Sequence, residues 1–158
     1  MITTKDAAKE FLSSRRIAVT GVSHAPKGHG SNAVYTWLRK NGYEAFAVNP
    51  NVETVEGDPA YPDLHAIPGG VDAVVIATAP AHAEATMEEA AEMGIHTVWM
   101  HRSFGGGSVS DTAAAWGREH GITVIDGGCP LMFASNGDVG HKMMCRVLTW
   151  TGKVPRTV

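Results

Sequence analysis

The sequence predicts an α/β domain in which a parallel sheet lies between two layers of helices. Five short apolar runs, rich in β-branched residues and without polar alternation, are typical of parallel strands covered on both faces. Stretches with helical spacing separate these runs, and three of the stretches end at a glycine. With 158 residues, 44% of them apolar, the chain can bury the core of one domain, which we expect to span residues 1–158.

The apolar runs are the predicted strands, and each stops at or near glycine, proline or polar turn residues. They cover residues 17–20, 45–48, 71–77, 97–100 and 122–125. Strands that alternate with helices imply right-handed crossovers in a three-layer α/β/α arrangement. We therefore expect a Rossmann-like sheet of five parallel strands in the order 3-2-1-4-5, as in half of a dinucleotide-binding fold.

The predicted helices lie between the strands and at both ends of the chain. Residues 31–41, 80–93 and 110–120 have apolar side chains on one face, and Ser110 is a suitable N-cap. We also expect a leading helix over about 4–14, and a C-terminal helix and tail over about 139–158. The stretch 51–70 holds three prolines and three glycines, which predicts an irregular crossover with at most one helical turn near 62–67.

Composition excludes several classes of function. A net charge of −3 implies no broad basic surface for nucleic acid. No apolar run approaches the ~20 residues of a membrane span, and the charged N-terminus does not resemble a signal peptide. Two cysteines, Cys129 and Cys145, cannot form a disulfide framework. We expect a cytoplasmic protein.

The loop after the first strand predicts a phosphate site. Glycines 21, 28 and 30 permit a tight turn and close backbone approach, Lys27 adds a positive charge, and a helix begins directly afterwards. Neither G-x-G-x-x-G nor G-x-x-x-x-G-K-[ST] is present. The second strand ends at Asn49, where NAD-binding folds usually supply a carboxylate to the ribose hydroxyls. Asn49 would not repel a phosphate on the ribose, and it lacks the carboxylate that is expected for NAD. NAD is therefore the second choice of ligand.

A series of short motifs carries a resemblance to a known family. They are Ile-Ala-Val-Thr-Gly-Val-Ser at 17–23, Val-Asn-Pro at 48–50, Gly-Asp-Pro-Ala-Tyr-Pro at 57–62, Ile-Ala-Thr-Ala-Pro at 76–80, Val-Trp-Met at 98–100 and Gly-Cys-Pro at 128–130. From about residue 16 to 133 the chain resembles the CoA-binding domain family, which is similar to the N-terminal domain of the succinyl-CoA synthetase alpha subunit. This resemblance implies a Rossmann-like domain that binds coenzyme A.

The resemblance also implies which residues contact the ligand. The phosphate loop would be formed by Gly21, Val22, Ser23, His24 and Lys27, and Asn49 and Pro50 would lie by the adenosine. Thr78, Ala79 and Pro80 would be the small proline-containing turn that contacts the ligand, and Met100 and His101 would flank it at the end of the fourth strand. The phosphorylated histidine of the synthetase lies in a second domain without a counterpart here. We therefore expect a stand-alone protein that binds CoA or an acyl-CoA, without evident catalytic machinery, and we do not expect an enzyme.

Alternatives remain beside this interpretation. A small NAD(P)-dependent oxidoreductase or redox sensor could use the same scaffold, and a ligase-type partner subunit or a homodimer could use the C-terminal helix. Cys129 could be a reactive thiol at a helix start. A metal site is not expected, because the pairs His24 with His29 and His141 with Cys145 supply too few ligands.

Overall fold

The structure is a computed structural model that describes residues 2–24, 30–102, 107–134, 143, 147, 150–151 and 154–158. Its helices and strands alternate along the chain, with two short strands added in the middle. In chain order they are α1 (Thr4–Phe11), β1 (Arg16–Thr20), α2 (Gly30–Lys40), β2 (Glu44–Val48), β3 (Thr54–Val55), β4 (Asp58–Tyr61), β5 (Ala73–Ile76), α3 (Ala83–Glu92), β6 (Thr97–Met100), α4 (Asp111–Glu119) and β7 (Thr123–Asp126).

The strands form one sheet with the order β3-β4-β2-β1-β5-β6-β7. All neighbours are parallel except β3 with β4, and Ile17 in β1 pairs with both Ala45 and Ala73. The predicted α/β class is confirmed, but the sheet has seven strands rather than five. The run 71–77, expected beyond the second strand, contains β5 and pairs with β1, while β4 occupies the position beyond β2.

The stretch 51–70 is where the sequence prediction was wrong. Glu56 and Gly57, with φ of 49° and 81°, form the turn of a hairpin between β3 and β4. Pro59 is tolerated in β4 because the parallel pairing of this strand with β2 begins only at Ala60. Pro59 therefore belongs to a short extension of the sheet, while Pro62 and Pro68 lie in the irregular segment that follows β4.

Two hydrophobic clusters cover the faces of the sheet. Helices α1 and α2 pack on one face, with Phe11, Leu38 and Trp99 in that cluster, while Met87 of α3 and Ala113 of α4 belong to the opposite cluster. The side chain of Ser110 accepts a hydrogen bond from the backbone N–H of Ala113 at 3.2 Å, so the predicted N-cap is confirmed. The described part of the chain holds no helix long and apolar enough to cross a membrane.

Most of the predicted C-terminal helix lies outside the described residues. At positions 143, 147 and 150 the backbone is helical and the side chains are exposed. Residues 156–157 pack against the N-terminal segment: Thr157 pairs with Thr3, and the backbone N–H of Thr4 donates to the carbonyl oxygen of Arg156 at 3.0 Å. These described residues are thus held beside the start of α1.

Candidate nucleotide-binding cleft

A cleft of about 370 Å³ opens at the carboxyl ends of β1, β2 and β5. These strands are neighbours at the point where the strand order reverses, because the chain runs outward from β1 to β2 and returns to β5 on the other side. Ligands of open α/β sheets bind at this position. The cleft is also lined by residues 62–64, which follow β4, and by three residues of α3.

Gly21 forms a sharp turn at the end of β1. Its φ is +74°, and a Cβ built on it would lie 2.7 Å from the carbonyl oxygen of Ala77 and 3.1 Å from the backbone nitrogen of Thr78. A side chain at this position would be strained by both the backbone and the contact. The predicted requirement for glycine therefore has a geometric cause, the close approach of two strand ends.

Two buried residues in the first turn of α2 hold this loop. The Ser31 hydroxyl donates to the carbonyl oxygen of Gly21 at 3.0 Å. The Asn32 side chain accepts from the backbone N–H of Ser23 at 2.9 Å and donates to the carbonyl oxygen of Ser23 at 2.7 Å. Neither residue was a predicted site residue, although polar residues at the start of a helix after a glycine loop are a usable signal.

Asn49 fastens the same loop to β2. Its Nδ2 donates to the carbonyl oxygen of Val22 at 2.9 Å, and its Oδ1 accepts from the backbone N–H of Asn51 at 2.9 Å. The Asn49 side chain thus has a structural role at the position where NAD-binding folds have a carboxylate that binds the ribose.

Two carboxylates from other segments line the cleft, and the sequence prediction named neither. Asp63 follows β4, and its Oδ1 accepts from the backbone N–H of Ala66 at 2.8 Å. Glu89 lies on α3, and its Oε1 is 3.1 Å from the backbone nitrogen and 2.8 Å from Nδ1 of His65. No lysine or arginine is among the described residues that line the cleft.

His101 lies on the other side of the loop, at the end of β6. Its side chain is buried, and a Cβ built on Gly30 would lie 3.0 Å from Cε1 of His101. Burial lowers the pKa of the imidazole to about 4, so the ring is neutral at physiological pH. A neutral ring therefore lies against the first residue of α2.

The predicted site residues fall into four groups. Gly21, Asn49, Pro50 and Thr78 line the cleft together, and the buried Oγ1 of Thr78 has no hydrogen-bond partner among the described residues. Six others do not line the cleft. Val22 and Met100 are buried, and Ser23 is hydrogen-bonded to Asn32. The remaining three, His24, Ala79 and Pro80, are exposed. His101 approaches α2 instead. Lys27 lies outside the described residues, as do His29, His141 and Cys145 of the pairs that were not expected to bind a metal.

Cys129 does not have the environment of a nucleophile. Its side chain is buried, and burial raises the pKa of the thiol to about 12. Because the thiolate is the reactive form, the hypothesis of thiol chemistry at this residue loses its physical basis.

A doubly wound parallel sheet with a glycine turn after β1 and a cleft at the reversal of strand order defines an α/β domain of Rossmann-like type. Comparison of sequences assigns the chain to one family within this type. Residues 15–135 match the family described as CoA binding domain, and the chain belongs to this family. The predicted resemblance is thereby confirmed.

Relatives of this chain include parts of larger proteins and small proteins of similar length. It is 33% identical over 88 residues to the alpha subunit of an ADP-forming acetate–CoA ligase II from Pyrococcus furiosus, covering 56% of this chain but only 19% of the subunit. It is 32% identical over 123 residues to the uncharacterized protein YneT of Bacillus subtilis, covering 77% of this chain and 87% of that protein. A solved hypothetical protein from Pyrococcus horikoshii matches with a TM-score of 0.69 and 27% identity, over 77% of this chain and 82% of the other.

Proposed function

We propose that residues 1–158 act as a single domain that binds coenzyme A or an acyl-CoA in this cleft, without catalysing a reaction on its own. The observation that carries the proposal is the Gly21 turn, fixed to the start of α2 beside a cleft at the reversal of strand order. Membership of the CoA binding domain family supplies the ligand class. With CoA as its ligand, the protein would act in the cytoplasm. It would act there either alone or together with a ligase-type partner subunit.

The diphosphate of the ligand would lie over residues 21–24 and the start of α2. The first backbone N–H groups of a helix lack partners within the helix and attract anions. α2 has 11 residues, no acidic residue in its first turn, and Arg39 and Lys40 in its last turn, so its N-terminal partial charge is not neutralised by its own side chains. The ring of His101 beside Gly30 is neutral, so it adds no charge at the start of α2.

The adenosine would occupy the cleft and the pantetheine would leave it past β5. Val48, Pro50 and Leu64 supply apolar lining, and the volume lies within the range of small-molecule sites. Thr78 also lines the cleft, but its Oγ1 is buried and would have to rotate toward the cleft to bind a ligand. Ala79 and Pro80 follow Thr78 and are exposed, with Pro80 at the start of a short 3-10 helix, and the extended pantetheine could run along them.

The test is ligand-induced stabilisation of the wild-type protein and of a Gly21→Val variant. CoA at a hundred times its dissociation constant should stabilise the wild type by about 2.7 kcal/mol, and the variant should lose this effect because its side chain meets Ala77. Gly42→Val is the matched control, because Gly42 also has a positive φ (+85°) but a Cβ there meets nothing within 4 Å. NAD and NADH, tested in parallel, address the oxidoreductase alternative.

Three outcomes decide the proposal. Stabilisation by CoA that survives in Gly42→Val and disappears in Gly21→Val supports it. A folded Gly21→Val variant that binds CoA like the wild type would show that the loop assignment is wrong. If Gly21→Val does not fold, Ser31→Ala removes the hydrogen bond to Gly21 and should weaken binding instead. No stabilisation by CoA, or stabilisation by NADH alone, refutes a CoA-binding function.

A further inference from the structure

The charge of the cleft constrains which form of the adenosine it accepts. Its described lining holds two carboxylates, Asp63 and Glu89, and its only basic side chain there is His82. Lys27 lies outside the described residues. A cleft of this charge does not suit a phosphate dianion on the ribose.

The two carboxylates are held in place with acceptor atoms to spare. Oδ1 of Asp63 and Oε1 of Glu89 accept the hydrogen bonds from Ala66 and His65, while Oδ2 of Asp63 and Oε2 of Glu89 have no hydrogen bond among the described residues. The Glu89 side chain is only 19% exposed, which limits its movement away from the cleft. Each carboxylate is thus anchored through one oxygen, and its second oxygen is left as an acceptor at the cleft.

Other charges near this pair do not reverse its sign. His65 contacts Glu89, but Nε2 of the same ring lies 3.9 Å from a carboxylate oxygen of Glu92, a third acidic group. Carboxylate oxygens accept hydrogen bonds from ribose hydroxyls and repel a ribose phosphate. Asp63 and Glu89 thus supply the carboxylates that Asn49 does not provide at the end of β2.

We infer that the cleft selects an adenosine diphosphate group whose ribose hydroxyls are free, so that dephospho-CoA binds more tightly than CoA. This inference rests on the proposed function, because it assumes that the adenosine of a CoA-type ligand occupies the cleft. A phosphate dianion facing two carboxylates across a solvated cleft should weaken binding by about tenfold at low salt. High salt should reduce the difference, because exposed charges are screened.

The test compares the dissociation constants of CoA and dephospho-CoA by calorimetry. A pH of about 8 keeps histidine side chains mostly uncharged. EDTA excludes divalent cations, which could neutralise the pair, because ligand atoms of Asp63, His65 and Glu89 lie within 4.8 Å of one another. The variants are Asp63→Asn and Glu89→Gln, singly and together, which keep the shape and the acceptor used by Ala66 or His65. Glu88→Gln is the matched control, since Glu88 is an exposed neighbour on α3 that does not line the cleft.

A tenfold preference for dephospho-CoA that disappears in the double variant and persists in Glu88→Gln supports the inference. Equal or tighter binding of CoA by the wild type overturns the inference but leaves the proposed function intact. A preference that is unchanged in the double variant also overturns it, because the carboxylates are then not its cause. Failure of both ligands to bind refutes the proposed function itself, and the inference with it.

Discussion

Burial of His101 makes the stability of the fold sensitive to mild acid. The pKa of this side chain is lowered from 6.5 to about 4, so between these values the unfolded chain binds a proton that the folded chain excludes. Stability is therefore full above pH 6.5 and falls as the pH approaches 4. From pH 7 to pH 5 the loss from this residue is about 2 kcal/mol, which corresponds to about 4–8 °C in melting temperature for a chain of this size.

Urea unfolding at both pH values, with the variant His101→Gln, checks this prediction. The variant cannot titrate in this range, so its loss of stability from pH 7 to pH 5 should be about 2 kcal/mol smaller than that of the wild type. His96→Gln is the control, because His96 is exposed and precedes the same strand, and it should behave as the wild type. An acid sensitivity of His101→Gln equal to that of the wild type would refute the reasoning, as would a histidine ring signal of residue 101 that titrates near 6.5.

Two further predictions concern packing and the cysteine. Gly117→Ala should lower the free energy of unfolding by about 1–3 kcal/mol, because the added Cβ would lie 2.7 Å from Sδ of Met87 and 2.9 Å from Cγ2 of Val124. This loss should outweigh the higher helix propensity of alanine. A variant that is more stable than the wild type in urea unfolding would contradict this close packing. In a Cys145→Ser variant, Cys129 of the folded protein should react with iodoacetamide at least about a hundredfold more slowly than Cys129 of the protein unfolded in urea. The reason is that burial keeps the thiol protonated. Rapid labelling of the folded protein would reopen the hypothesis of a reactive thiol.

Features that depend on neighbours in sequence could be predicted. The β-branched runs became strands because their side chains are buried on both faces of the sheet, and Ser110 became an N-cap because its hydroxyl reaches an N–H three residues away. The requirement for glycine at position 21 was also visible, since it follows a strand and precedes a helix. Its cause, the carbonyl of Ala77, comes from a strand distant in sequence and could only be seen in the structure.

Features that depend on pairing between distant segments could not be predicted. A strand of two residues such as β3 has no periodicity to detect, and its existence depends on the turn at Glu56, a non-glycine residue with a positive φ. Without that hairpin the run 71–77 counts as the third strand, and the rule for strand order then assigns it to the wrong side of the sheet.

The same hairpin explains why the acidic character of the cleft was missed. Because β4 extends the sheet beyond β2, the chain that follows it returns across the face covered by α3, where Leu64 is fully buried. Burial of Leu64 places its neighbour Asp63 at the cleft, where carboxylate oxygens of Asp63 and Glu89 lie within 4.8 Å of each other. The turn of the hairpin also reaches the other end of the site, where Glu56 accepts a hydrogen bond from Asn32 at 3.0 Å. An argument confined to the residue at the end of the second strand could not include Asp63 or Glu56, because folding of the hairpin places these two carboxylates, nor Glu89, which comes from α3.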